Sequence, residues 1–235
     1  SEPAIAEIMS AAGYEWLVVD LEHSVIGIES AGEMIRTIDL CGVTPLVRLT
    51  SNEPSQIKRV MDAGAHGIIV PMVNNVEDAK KAVTSMKYAP EGIRGVGLAR
   101  AQSYGADFKK YFEWQRNESI LIVQIEHINA LKELESILRI PEVDGLIIGP
   151  YDLSCSMGIP GQFEHPKFKE TLDFILNTCK KLSFPAGIHL VEPDETFLAN
   201  HIEKGYKIII FSVDIRILDV TARLGMKRFR ELVNR

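Results

Sequence analysis

The chain has 235 residues, 46% of them hydrophobic and 25% charged, the balance of an ordinary globular protein able to bury a sizeable core. Its formal net charge is -6, with acids and bases interspersed and no basic block, which argues against a nucleic-acid partner or an anionic membrane surface. Three widely spaced cysteines, Cys41, Cys155 and Cys179, offer neither a disulfide framework nor metal-ligand spacing. With no signal segment and no apolar run long enough to span a bilayer, they point to a reducing, cytoplasmic setting.

A helix-like stretch, Pro3 to Ala12, opens the chain and breaks near Gly13. Short apolar runs then recur at Trp16–Leu21, Pro45–Leu49, Gly67–Pro71, Ile120–Glu126, Gly145–Gly149, Pro185–Leu190 and Lys207–Ser212. They are apolar on successive positions, as expected of parallel strands covered on both faces. Between them lie helix signals. Asn52 is read as the cap of a helix with Pro54 in its first turn and Ile57, Val60 and Met61 on one face. Asn75 starts the next, with Ala79, Ala82, Val83 and Met86 inward. Leu131, Leu134, Ile137 and Leu138 mark a third, ended by Pro141, and Phe168, Leu172, Ile175 and Cys179 a fourth after Pro166. A tail helix is expected over Ile215–Val233.

This alternation, without a linker or a low-complexity tract, predicts one (β/α)8-barrel domain over residues 1–235. Seven strand-like runs are one short of a closed barrel. Either the sheet is open and doubly wound, or the first strand precedes Ser1. The second is preferred, because a helix-like opening normally follows a strand in this alternation.

In such barrels chemistry gathers at the C-terminal ends of the strands. Those ends are polar here. Trp16–Leu21 contains Asp20 and runs into Glu22 and His23; Pro45–Leu49 contains Arg48; Ile120–Glu126 contains Gln124 and ends in an acid; Gly145–Gly149 leads to Asp152. Charges beside buried strands are costly unless paired or bound to metal. Glu126 and Asp152 come from consecutive strands roughly 5 Å apart, where two carboxylates repel and a divalent cation reconciles them. Oxygen ligands favour Mg2+ or Mn2+, with Co2+ also accommodated, over zinc. The alternative is two solvated loop acids. Arg48 suits a substrate carboxylate or an oxyanion, or else an interior salt bridge with Asp20 or Glu22. His23 is either a general base or a solvated side chain. His127 adjoins Glu126 and is a candidate supporter of it, while His66, His165, His189 and His201 read as structural or exposed. Asp62 reads as a surface acid, and Gly95 and Gly97 as a weak phosphate cradle with no strand before them.

At these positions the sequence resembles the HpcH/HpaI family of divalent-metal-dependent pyruvate aldolases over essentially its whole length. The markers are Val-Val-Asp-Leu-Glu-His (18–23), Pro-Leu-Val-Arg (45–48), Gln-Ile-Lys-Arg-Val-Met-Asp (56–62), Val-Pro-Met-Val (70–73), Gly-Ile-Arg-Gly-Val-Gly (92–97), Val-Gln-Ile-Glu (123–126) and Ile-Gly-Pro-Tyr-Asp-Leu-Ser (148–154). The resemblance implies that Glu126 and Asp152 are metal ligands and that Gln124 supports a bound 2-oxo acid. It implies that Gly149, Pro150 and Tyr151 face the substrate, with the backbone of the first two toward its carboxylate. Arg48 would steady the enolate, and His23 would act as base, tuned by Asp62 of a neighbouring subunit. A swapped C-terminal helix and a homohexamer are implied as well. The departures are Leu21 where many relatives have glycine, a shorter stretch at Leu98–Tyr104, and His189 where an aliphatic residue is common. They bear on which substrate is used more than on the reaction.

The expected reaction is reversible aldol cleavage of a 4-hydroxy-2-oxo acid to pyruvate and an aldehyde. A Schiff-base aldolase would need a lysine at a strand's C-terminal end, and there is none. A phosphate-binding isomerase would want glycine-rich turns after the last two strands, which here read Leu-Val-Glu-Pro and Ser-Val-Asp. The remaining rival is a non-catalytic metabolite-binding or assembly barrel that has kept the pocket.

Overall fold

A computed structural model of the chain describes residues 2–234. In chain order it contains α1 (Pro3–Ala11), β1 (Trp16–Asp20), α2 (Ile28–Leu40), β2 (Thr44–Arg48), α3 (Pro54–Asp62), β3 (Gly67–Val70), α4 (Val76–Met86), α5 (Phe108–Asn117), β4 (Ile120–Ile125), α6 (Leu134–Leu138), β5 (Gly145–Ile148), α7 (Pro150–Ser156), α8 (Pro166–Lys181), β6 (Ala186–Leu190), α9 (Glu195–Lys204), β7 (Ile208–Phe211) and α10 (Asp214–Val233), with 3-10 turns at Arg100–Gly105 and Ile128–Lys132. All seven strands fall within a residue or so of the apolar runs. Asn75 caps α4 as expected, its side chain accepting from the Asp78 amide at 2.8 Å.

Two helix starts or continuations differ from expectation. Glu53, not Asn52, occupies the cap position of α3, and the Asn52 amide instead donates to the Asp78 carbonyl at 2.8 Å, tying two loops together. The stretch around Leu131–Leu138 is a 3-10 turn followed by a single short helix, because Glu133 leaves helical geometry between them.

The strands form one parallel sheet in the order β1-β2-β3-β4-β5-β6-β7. A doubly wound sheet reverses its strand order at a switch point; none exists here, so that alternative is set aside. Alternation sorts the side chains. Val19, Val47, Ile68, Val123, Ile148 and Ile188 face the helices and join the large outer core. Leu46, Ile69, Ile122 and Ile147 form a second cluster inside the curl of the sheet, and Trp16 and Val18 of β1 and Ile208 and Ile210 of β7 pack against it. Edge strands at opposite ends of the ladder therefore share one interior, the packing of a TIM-like barrel.

Candidate active site

Extending the inward alternation to the C-terminal strand ends brings Asp20, Arg48, Gln124, Glu126 and His189 to one mouth. Asp20 and Arg48 are direct ladder partners on β1 and β2. Arg48 donates from Nε to Asp20 Oδ1 at 2.8 Å and from a terminal nitrogen to Oδ2 at 2.6 Å, a two-point grip. Its other terminal nitrogen lies 3.4 Å from Glu22 Oε2. The interior salt bridge weighed from the sequence is thus present. It also fixes the guanidinium in position, with one nitrogen turned toward the acids of the mouth.

Glu126 ends β4 and is 2% exposed. Its Oε1 accepts from the Met72 amide at 2.6 Å, and its Oε2 accepts from the Gln124 side chain. Met72 donates from a left-handed conformation (φ 53°) at the end of β3, so a backbone kink is part of the site. Burial raises the Glu126 pKa above the usual carboxylate value, opposed by the two hydrogen bonds and reinforced by Asp152. Glu22 behaves alike. Burial first, then the charge of Glu126, push its pKa up to about 7, with Arg48 pulling down and Asp20 and Asp152 pushing up. Asp152 sits exposed in the first turn of α7, close enough to act on both acids. Gly149, just before it, has no room for a side chain: a Cβ there would lie 3.0 Å from Glu126 Oε2 and 3.3 Å from the Gln124 nitrogen.

Glu22 Oε2 is buried and makes no hydrogen bond. A carboxylate oxygen without a hydrogen bond, facing one arginine nitrogen at 3.4 Å and beside two further acids in an all-oxygen donor set, fits a hard divalent cation. Among the described residues no three His, Cys, Asp or Glu side chains are gathered closely enough to enclose a metal unaided.

His23 is 63% exposed at the rim, its Nε2 3.7 Å from Glu22 Oε2. Asp62 is placed elsewhere. It ends α3, which starts at the C-terminal end of β2 and runs back, so Asp62 reaches the opposite end of the barrel. There its Oδ1 accepts from the fully buried Arg94 at 2.6 Å. Within one chain His23 and Asp62 do not meet. Arg94 also donates to the Tyr111 hydroxyl at 3.0 Å and stacks over the Tyr88 ring at 4.6 Å, which assigns the Gly92–Gly97 stretch to packing rather than to a phosphate cradle. His127 accepts from the Asn129 amide at 3.1 Å and caps a turn.

The profile of the HpcH/HpaI aldolase/citrate lyase family matches residues 1–218. The chain belongs to that family. A hydroxypyruvate/pyruvate aldolase of Sagittula stellata is 38% identical over 219 residues, 93% of this chain and 85% of the relative. A pyruvate aldolase of Rhizobium etli is 40% identical over 91% of this chain and 83% of its own length. A 4-hydroxy-2-oxo-heptane-1,7-dioate aldolase of Shigella sonnei is 33% identical over 95% and 85%. The crystal structure of an HpcH/HpaI aldolase/citrate lyase family protein from Burkholderia cenocepacia superposes with a TM-score of 0.92 at 30% identity, covering 97% of this chain and 91% of that one.

Within the HpcH/HpaI frame, sequence reading understated two residues. Glu22 was read as a strand-end acid and a candidate partner of Arg48, which it is at 3.4 Å, but its position beside Glu126 has no local signature. His189 was read as structural or exposed, whereas its flanking residues Ile188 and Leu190 join the outer core and turn it inward, toward Arg48. Period-two alternation along Ala186–Leu190 could have located it. No helix of the described residues is long and apolar enough to cross a membrane.

Proposed function

We propose that this protein is a divalent-cation-dependent aldolase that reversibly cleaves a 4-hydroxy-2-oxo acid to pyruvate and an aldehyde, in a cytoplasmic setting, with residues 1–235 acting as one barrel domain. One observation carries the reading: a buried carboxylate, Glu126, and a pre-aimed guanidinium, Arg48, occupy the same mouth, with Glu22 beside them 3.4 Å from Arg48 and without a hydrogen bond on its Oε2. The pyruvate and hydroxypyruvate activities named for the relatives support the same chemistry.

Glu126 and Asp152 would hold the cation, Mg2+ or Mn2+ by preference. When bound, it supplies Lewis acidity to the oxygens of the 2-oxo acid. Gly149, Pro150 and Tyr151 line the carboxylate end, and Gln124 supports the bound acid while holding Glu126. His23 takes the proton of the 4-hydroxyl, directly or through water. The C3–C4 bond breaks, C4 becomes the aldehyde carbonyl, and the electron pair moves into the enolate of pyruvate. Arg48 stabilises the negative charge that develops on the keto oxygen. Because Asp20 already fixes the guanidinium, little reorganisation is needed at that moment. Protonation at C3 then releases pyruvate.

The opposite placement of His23 and Asp62 means that a His–Asp pair can form only between copies of the chain. Such a pair fits a homo-oligomer, a hexamer with exchanged α10 helices. The helix supports this reading, since none of its residues is buried, while Leu218, Leu224, Phe229 and Leu232 are exposed.

The test is exchange of the pyruvate methyl protons in D2O, followed by NMR with Mg2+ or Mn2+. Exchange that EDTA abolishes is expected. No exchange with any divalent cation would instead favour a non-catalytic binding barrel.

A further inference from the structure

His189 is a polar side chain in the mouth for which the reaction above has no use. It lies on β6 beyond Gly187 and Ile188. The ladder pairs Ile125 with Ile148 and Ile148 with Ile188. One residue further on, Glu126, Gly149 and His189 stand side by side on three adjacent strands. Gly149 contributes no side chain, and the Glu126 carboxylate and the Gln124 amide lean over it, so no side chain of β5 stands between them and the imidazole.

The imidazole is not satisfied by the protein. Its Nε2 is buried without a hydrogen-bond partner, while the ring keeps part of its surface open. A buried nitrogen left unpaired is costly, and a substrate group that pairs with it removes that cost. Burial, and then the positive charge of Arg48, lower the pKa to about 4, against the pull of the Ser212 backbone and Asp20, so the ring is neutral at pH 7. A neutral imidazole is no counter-ion for a carboxylate. It is a donor or acceptor matched to an uncharged hydroxyl.

We propose that His189 is a specificity-determining residue that hydrogen-bonds a hydroxyl carried by the substrate, on either the 2-oxo acid or the aldehyde, at the mouth it shares with Arg48. This rests on the aldolase reading. Activity lies with the acids, Arg48 and His23; His189 selects what is turned over.

The experiment compares wild type, His189→Leu and His189→Gln in aldol addition with two substrate pairs. Hydroxypyruvate is set against pyruvate with one fixed aldehyde, and glycolaldehyde against acetaldehyde with pyruvate fixed. In His189→Leu the hydroxyl-to-deoxy ratio of kcat/KM is expected to fall about tenfold or more in one pair, as loss of a buried hydrogen bond implies. Which pair responds tells which partner carries the hydroxyl. His189→Gln, which keeps a donor and an acceptor, is expected to restore much of the ratio; equal ratios in the two variants would overturn hydrogen bonding. Ratios within twofold of wild type in both pairs, from folded and active His189→Leu, would overturn the role of His189. Wild type inert toward every 2-oxo acid would overturn the aldolase reading itself. Should His189→Leu fail to fold, an unchanged ratio in folded His189→Phe, which also lacks a hydrogen-bonding group, would overturn the role.

Discussion

In the proposed site a cation held by Glu126 and Asp152 would compete with the protons that burial keeps on Glu126 and on its neighbour Glu22. The Glu22 pKa, raised to about 7, means that the cation-free folded chain holds a proton there which the unfolded chain gives up near 4.5. Between those values the folded state binds more protons, so stability falls as pH rises across that window. A Glu22→Gln variant is expected to lose this fall in its thermal midpoint. Cation binding has the opposite slope, because it displaces the proton. Mn2+ affinity, followed by calorimetry, should climb between about pH 6 and 8 and climb less in Glu22→Gln; a flat profile in the native chain would detach Glu22 from the site. Arg48 is the second residue on which the chemistry turns. Arg48→Ala is expected to lower kcat by about 100- to 1000-fold, a typical cost for a lost oxyanion donor, and unchanged turnover would reassign it to the ion pair with Asp20 alone.

Each element delivers its polar group through its ending. β4 brings Glu126 to the mouth because alternation puts Ile120, Ile122 and Gln124 on the same inward face. The abrupt start of α7 at Pro150 lifts Asp152 one turn beyond β5. Glu126→Ala and Asp152→Ala are expected to lose cation binding and turnover together, in calorimetry and in the NMR exchange assay; activity retained in either would count against it as a ligand. Gly149→Ala tests the spacing without touching a ligand. A methyl 3.0 Å from Glu126 Oε2 forces the carboxylate to give way, so weaker Mn2+ binding with an unchanged circular dichroism spectrum is expected.

At the scale of the whole molecule, the proposed oligomer rests on two features. His23 and Asp62 stand at opposite ends of the barrel, and α10 leaves an apolar stripe uncovered. Co-expression of His23→Ala with Asp62→Ala is expected to recover part of the activity each has lost, since a mixed assembly contains sites with both native residues. Recovery no greater than the sum of the separate variants would place Asp62 outside the reaction. Leu224→Glu with Phe229→Glu is expected to shrink the assembly by light scattering.

Periodicity and strand-end polarity were enough to locate all seven strands and to bring Arg48, Glu126 and Asp152 to the same end of the sheet, because hydrophobic patterning and buried charge leave marks on neighbouring residues. The missed features, apart from the inward direction of His189, have no such marks. Asn52 gave up its capping role to a contact 26 residues away. His189 and Glu22 gained their character only when β6 and β1 were folded beside Arg48, and Asp62 took Arg94 as partner once α3 had run the length of the barrel. Local sequence sets which face a side chain takes; what stands across from it, and so its charge state and its chemistry, is decided when distant strands close around a common interior and exclude water.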